Sequence, residues 1–367
     1  MAKTAMPIGK PVAFEGNIRN IDPKAYGFFY CKITSPEYLE HPLLQRRIKT
    51  SNGMRTIAGL GSWEGWIFST EMDNAVKYGY TFTILKGYQF NKGKIFTKYV
   101  NDLYQLRLNY PKSNPMNYIC KLLLNSLYGK FGMKTDTTEI EVFDTSTEVG
   151  KSLYNNKFVE WGEGIKDLII IDQYKILVRN SLTSHKYNEQ LDIYHGQDVN
   201  IAIASAITSC ARVHMSQLKN NPNYKLYYSD TDNIVIDRPL PKELIGDKLG
   251  QLKLEHTIKK AIFLAPKVYG LLTLENKQII KVKGVTFKTI KELNINNLED
   301  LLIENTELDM KQNKWFKKVL EGNISIDEIF YKLKVTSNKR ENIYENFDDI
   351  KIFTSTKPYN YDERTKN

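Results

Sequence analysis

Asp230 and Asp232 stand one residue apart in Tyr228-Ser229-Asp230-Thr231-Asp232-Asn233, between the apolar runs Leu226-Tyr227-Tyr228 and Ile234-Val235-Ile236. Strand-forming residues on both sides of a short polar break predict strand, tight turn, strand. Two carboxylates at the tip of one hairpin repel each other unless a cation sits between them. Mg²⁺ suits such a place, since it takes a few hard oxygen ligands and fills the rest of its shell with water and phosphate oxygens. Taken alone, Asp-Thr-Asp serves as well for a solvated Asx turn between surface strands. A calcium loop fits worse, because the Gly and Glu it requires do not follow at the right offsets.

A second group lies earlier, in the run from Lys121 to Gly132. Its pattern predicts a helix as far as Gly129, which would close it as a C-cap. Lys121, Asn125 and Tyr128 are spaced i, i+4, i+7 and share one face, while Ile119, Leu122 and Leu123 are expected to turn elsewhere into packing. An ammonium, an amide and an aromatic ring on one face can hold a triphosphate, a backbone or sugar group and a flat base. An ordinary amphipathic helix ended by glycine explains the same spacing when that segment is read by itself.

The elements around these groups can be outlined from the pattern. Residues 1 to about 95 are turn-rich and alternating, with a helix-like stretch from Glu71 to Tyr78 and a strand from Tyr80 to Leu85. Phe96 to Arg107 reads as an amphipathic helix, Pro111 to Pro115 as a break, and Met116 to Tyr128 as the next helix. Residues 133 to about 196 hold short β-prone runs such as Asp167 to Ile171 and Tyr174 to Val178. Val199 to Leu218 reads as one helix in which Ala202, Ala204, Ala206 and Ala211 allow close packing. Arg212 and His214 on that helix are expected to be structural. From Thr289 onward helices are expected to predominate, with Lys311, Lys314, Lys317 and Lys318 around Trp315-Phe316.

The run Lys121 to Gly132 followed by Tyr228 to Asn233 resembles motifs B and C of the family B DNA polymerases, in their protein-primed branch. Pro266-Lys267-Val268-Tyr269 looks like the K-x-Y motif of that branch, and Lys281-Val282-Lys283-Gly284 follows it. Gly250 to Glu255 and Thr336-Ser337-Asn338-Lys339-Arg340 look like segments of the polymerases of linear mitochondrial plasmids. The resemblance covers residues 5 to 358. It implies an α+β fold: a family B palm of antiparallel sheet with helices, plus fingers, an insertion and a thumb, without the N-terminal exonuclease domain. The implied parts are a partial palm with a priming-protein-contact insertion over 1–95, fingers over 96–132 and a second insertion over 133–196. Palm over 197–288 and thumb over 289–367 complete them.

The resemblance also implies roles. Asp232 is the metal-bridging carboxylate and Asp230 a nearby, less stringently required one, with two Mg²⁺ ions, or Mn²⁺ in their place, as cofactors. Lys121 pairs with the incoming triphosphate, and Arg107 or Lys112 adds a second charge. Asn125 and Tyr128 shape the base-pair pocket, and Gly129 lets the template approach. Lys267 and Tyr269 hold the primer end, and Lys283, Gly284, Lys339 and Arg340 add DNA contacts. Asn233 departs from the Ser usual in the family. Implied partners are primer-template DNA, dNTPs and a terminal priming protein.

No D-x-x-S-L-Y-P string, which carries the family's first catalytic aspartate, occurs in the chain, and the three acidic exonuclease motifs are also missing. The stretch Met1 to Pro11 resembles the segment just downstream of that string in relatives. The chain is therefore expected to be the carboxyl-terminal portion of a larger enzyme, with a remnant that binds DNA, nucleotide or priming protein as the other reading. The 52 Lys and Arg against 42 Asp and Glu leave a net charge of +10, which suits a polyanionic partner. Cys31, Cys120 and Cys210 are scattered without ligand spacing and are expected to be reduced, buried thiols. No apolar run approaches the ~18 residues of a membrane-spanning helix. The resemblance to plasmid polymerases points to a mitochondrial location, encoded within the organelle, with viral or cytoplasmic as the alternatives.

Overall fold

In the computed structural model, the described residues are 3–50, 53–133, 138–181, 187–188, 193–194, 199–318, 323–336 and 339–364. Strands β1 (Met6–Glu15), β2 (Gly27–Thr34), β3 (Gln45–Thr50), β4 (Gly53–Ala58) and β5 (Ser62–Phe68) precede helix α1 (Ser69–Val76) and strand β6 (Thr81–Gly93). β1, β6, β2 and β5 form an antiparallel sheet in that order, and β3 pairs with β4. Period-2 alternation in β2 sends Phe29, Cys31 and Ile33 inward and leaves Lys32 and Thr34 exposed. That inner face packs with Met72 and Ala75 of α1 and with Trp63, Ile67, Tyr80 and Ile84 into one core. Burial pushes the Cys31 thiol up to about 12, as expected of an inert thiol, whereas Cys210 is only half-buried.

Helices α2 (Thr97–Leu108) and α3 (Pro115–Phe131) come next, then β7 (Thr138–Asp144), α4 (Glu148–Trp161), β8 (Ile165–Ile170) and β9 (Lys175–Ser181). The short β10 (Tyr187–Asn188) pairs with β11 (Ile193–Tyr194), and helix α5 spans Ile201–Lys219. β7, β9 and β8 make a three-stranded antiparallel sheet. Phe143, Trp161 and Val178 form its small core. The β-prone runs of this region are strands as expected, while α4 was not foreseen.

The last part holds β12 (Leu226–Asp230), β13 (Asn233–Ile236), β14 (Ile258–Ala265), β15 (Val268–Thr273) and β16 (Gln278–Val282). Short helices α6 (Phe287–Ile290) and α7 (Ile295–Asp300) precede β17 (Leu308–Lys318), β18 (Asn323–Leu333), β19 (Glu341–Phe347) and β20 (Ile350–Lys357), and α8 (Tyr361–Arg364) follows. Strands therefore predominate after Thr289, not the expected helices. The reason is period 2: Met310 and Gln312 are buried while Asp309 and Lys311 are exposed. Ile262, Leu264, Val268, Val282, Leu298 and Met310 belong to the second large core.

Two compact units result. The first comprises Met1–Thr97, Ser205–Gln312 and Phe330–Asn367, and the second Lys98–Ala204 and Asn313–Ile329. Within the first, the chain's last described residues return to its first sheet region. The Tyr361 hydroxyl donates to the Ile57 carbonyl at 2.7 Å, and Asp362 accepts from the Ser62 N–H at 3.0 Å. Gly59 permits this approach, since a Cβ there would stand 2.7 Å from the Tyr359 carbonyl oxygen. Among the described residues no helix is long and apolar enough to cross a membrane.

Candidate active site

Asp230 pairs with Asn233 across a two-residue turn made by Thr231 and Asp232. Thr231 takes φ 59°, the left-handed conformation that tight hairpins need, and the Asp232 N–H donates to the Asp230 carbonyl at 2.8 Å. Asn233 Oδ1 accepts the Asp230 N–H at 3.0 Å. The side chain that departs from the family pattern thus braces the backbone of the carboxylate. Asp232 is exposed at the tip, and Asp230 is half-buried.

A second hairpin meets the first. β14 and β15 join through Pro266-Lys267, with Ala265 opposite Val268. Proline presets the first turn residue and Lys267 adopts φ 65°. The Lys267 N–H donates to the Tyr228 hydroxyl at 3.0 Å, while the Lys267 ammonium forms an ion pair with the Asp230 carboxylate. The Tyr228 ring stacks on Phe263 at 5.0 Å between centroids, with Tyr269 at 5.2 Å from Tyr228. Three rings from two hairpins therefore fix where Asp230 and Lys267 lie. The hydrogen bond from Lys267 holds the Asp230 carboxyl below its ordinary range, and the same bond raises Lys267.

Two further cations bear on this carboxylate. Lys339 lowers the Asp230 pKa through its charge. Lys219, at the end of α5, is depressed by burial and partly restored by Asp230. Of the site's neighbours Lys219, Tyr228 and Phe263, only Tyr228 belongs to a recognisable motif, and no spacing signal links Lys219 or Phe263 to the carboxylate hairpin.

β16 continues the site. Val268 pairs with Val282 and Tyr269 with Lys281, and the Lys283 N–H donates to the Lys267 carbonyl at 3.1 Å. Gly284 takes φ 89°, and its carbonyl accepts from buried Gln312 at 2.9 Å, while Gln312 Oε1 accepts the Thr286 N–H at 2.7 Å. Gln312 is a positioning residue that sequence reasoning missed. Arg340 is half-buried and donates to Thr356 Oγ1, the Thr356 carbonyl and the Glu40 carbonyl at 2.8, 3.0 and 2.8 Å. Those bonds place its guanidinium in the fold's framework. Ser337 and Asn338 lie outside the described residues.

Arg212 on α5 donates twice to buried Glu71, at 2.6 and 2.8 Å, so it ties α5 to α1. Ala206 is fully buried on that helix, but Ala211 is exposed rather than packed.

In the second unit, Asn114 caps α3 by accepting the Met116 N–H at 2.8 Å, with Pro115 in the first turn. Asn117 donates to the carbonyls of Arg107 and Tyr110 at 3.0 and 2.8 Å, and Arg107 Nε donates to Asn117 Oδ1 at 3.4 Å. The helix, break, helix arrangement is thus locked by Asn117. Lys112 is exposed in the break.

Lys121, Asn125 and Tyr128 are exposed along α3. Two expectations about this helix need correction. It runs through Gly129 to Phe131, with Gly132 as its cap, because Gly129 keeps helical backbone and nothing stands near its α-carbon to force a stop. The buried stripe is Cys120 with half-buried Leu124, Leu127 and Phe131, whereas Ile119, Leu122 and Leu123 are 43%, 51% and 42% exposed. An i, i+4, i+7, i+11 stripe suffices to seat one helix, so the other apolar positions are left outside it.

Among the described residues no group of three or more His, Cys, Asp or Glu gathers to hold a metal. Asp232, exposed at the tip, and half-buried Asp230 nonetheless fit Mg²⁺ as hard oxygen donors one residue apart, the former open to water and phosphate.

Residues 1–224 match the family model described as DNA polymerase type B, organellar and viral. The chain belongs to that family. It is 34% identical over 331 residues to a probable DNA polymerase of Neurospora intermedia, covering 87% of this chain and 32% of that protein. It is 34% identical over 349 residues to one of Ascobolus immersus, covering 93% of this chain and 27% of that protein. The chain thus spans under a third of the length of these curated relatives. Phi29 DNA polymerase, in a ternary complex with primer-template DNA and incoming nucleotide, superposes with TM-score 0.61 at 18% identity, over 91% of this chain and 55% of that one. The fold is therefore shared with that enzyme.

Proposed function

We propose that this chain carries the polymerising part of a DNA-directed DNA polymerase, one that starts replication from a priming protein and acts in an organelle. The observation that supports this best is the joint between the two hairpins, where Tyr228, Phe263 and Tyr269 set Asp230 against Lys267. A rigid carboxylate beside a cation and an aromatic wall suits the reacting end of a primer. In this reading Asp232 and Asp230 would hold divalent metal, which supplies charge neutralisation for phosphoryl transfer when bound.

The other residues act by binding and orienting. Lys267 and Tyr269 position the primer end, with Lys283 and Lys339 adding phosphate contacts. Lys121 meets the triphosphate of an incoming dNTP, and Asn125 and Tyr128 present a flat surface to the new base pair. Gly129 offers bare backbone to the template. On this reading the first unit supplies the palm and most of the thumb, and the second supplies fingers, insertion and the thumb residues Asn313–Ile329.

The test has two parts. Binding of primer-template by the chain should weaken steeply with salt, each phosphate contact adding roughly 0.9 to the slope of log K against log salt. In a version of the protein fitted with an upstream segment carrying D-x-x-S-L-Y-P, Asp232→Ala should lower templated dNTP incorporation by about three orders of magnitude or more. Salt-insensitive binding, or full activity in Asp232→Ala, would sink the reading.

A further inference from the structure

Both oxygens of the Asp230 carboxylate are engaged. The Lys267 ammonium donates to Oδ2, and the Thr231 hydroxyl donates to Oδ1 at 3.2 Å. The charges of Lys219 and Lys339 also act on this carboxylate, beside the direct ion pair with Lys267. A divalent ion needs a carboxylate oxygen directly in its shell. A metal held at Oδ2 would compete with the Lys267 ammonium for that oxygen.

Lys267 is built to leave without disturbing the turn. Its backbone is pinned at both ends, since its N–H donates to Tyr228 and its carbonyl accepts from Lys283 at 3.1 Å. Its side chain is 54% exposed, so the four-carbon stem can swing while the hairpin stays still.

We propose that Lys267 is an exchangeable internal cation for Asp230, holding the carboxylate in place until a divalent ion takes it and being released toward a DNA phosphate by that exchange. The proposal rests on the metal and primer roles given above. One consequence is coupling. Metal and DNA both favour the state in which the ammonium is off Asp230, so each tightens the other by the same factor. Lys219 and Lys339 keep the carboxylate's surroundings positive after Lys267 departs.

Mn²⁺ binding to the 367-residue chain, followed by the electron paramagnetic resonance of the free ion, tests the exchange with and without primer-template ending in a dideoxynucleotide. Lys267→Met should bind Mn²⁺ roughly two- to fivefold tighter than wild type without DNA, the scale expected for losing a partly exposed ion pair. Lys267→Arg, which keeps the pair, should stay near wild type. The tightening of Mn²⁺ by DNA should shrink in Lys267→Met. A thermal transition like that of wild type qualifies each variant, and Lys267→Gln replaces Lys267→Met if the latter unfolds. Unchanged or weaker Mn²⁺ binding by the uncharged variants, while Asp230→Asn weakens it, overturns the exchange and leaves the metal assignment standing. Mn²⁺ affinity that ignores Asp230→Asn overturns both the exchange and the role of Asp230 as a metal ligand, leaving Asp232 to be tested by Asp232→Asn.

Discussion

Asp230 in the first unit has both side-chain oxygens engaged and lies on a hairpin joined to its neighbour by three packed rings, whereas Lys121, Asn125 and Tyr128 in the second unit stand exposed along a helix whose fully buried side chain is Cys120. The first region is held by contacts between residues far apart in sequence. The second is held by one helix and its cap. A group fixed by distant partners is already placed when its ligand arrives, but it has partners to give up. A group on an open helix face gives up only water, and its geometry is no better than the helix that carries it.

Changes in the two regions should therefore read out differently, and, Asp232 apart, the largest effect belongs to the helix. In a version of the protein fitted with an upstream segment carrying D-x-x-S-L-Y-P, Lys121→Ala should raise the nucleotide KM and lower kcat together, reducing kcat/KM by roughly 100-fold, since an ammonium beside a triphosphate acts in both ground and transition states. Stability should change by less than about 0.5 kcal/mol, as for an exposed position. Steady-state kinetics alongside urea unfolding checks both halves. Nucleotide kinetics that ignore Lys121 but respond to Leu123→Ala would mean that the other helix face meets the ligand.

Tyr228→Ala should show the reverse, a loss of about 2 kcal/mol of stability from the removed ring stack and hydrogen bond. Tyr228→Phe keeps the ring and should lose only about 1 kcal/mol. Equal behaviour of Tyr228→Ala and wild type in urea unfolding would mean that the hairpin joint contributes nothing.

Two glycines sharpen the comparison. Gly284→Ala forces a side chain to φ 89° and should destabilise by about 1 kcal/mol. Gly129→Ala places a methyl in open space inside a helix and should stabilise by roughly 0.5–1 kcal/mol, while weakening primer-template binding if template approaches there. Thermal melts and binding titrations of the pair decide this.

The smallest effect is in pH. Lys267 depresses the Asp230 pKa, so the stability it lends is present above the ordinary carboxylate value near ~3.9 and is lost as pH falls through the lower folded value. The stability gap between wild type and Lys267→Met, at most about 1 kcal/mol for a pair this exposed, should hold from neutrality to about pH 5 and close below about pH 4. A gap that widens in acid would mean the ion pair is not its source.

Much of this was legible in the residues. Leu226 to Ile236 announces its own hairpin, because apolar strand formers flank a turn sequence. The α2, break, α3 arrangement follows from Pro111, Pro115 and the helical spacing between them and Tyr128. After Thr289 the local pattern misleads, because Lys- and Glu-rich runs favour helix, yet Met310 and Gln312 are buried on one side of a strand. Arg340 carries a charge that suits a phosphate, but its donors meet carbonyls brought from Glu40 and Thr356.

By itself, the sequence determined the carboxylate hairpin, the motif-bearing helix, the two-residue turn that presents Lys267 and the family to which the chain belongs. Each depends on neighbours within a few residues, where spacing dictates geometry. Only the tertiary structure decided that Lys267 reaches Asp230, that Lys219 and Lys339 charge the same spot, that Gln312 clamps Gly284, and that Leu122 and Leu123 stay outside the packed stripe. Those outcomes depend on which distant surfaces meet, and burial, ion pairing and ring stacking select among meetings that local pattern leaves equally open.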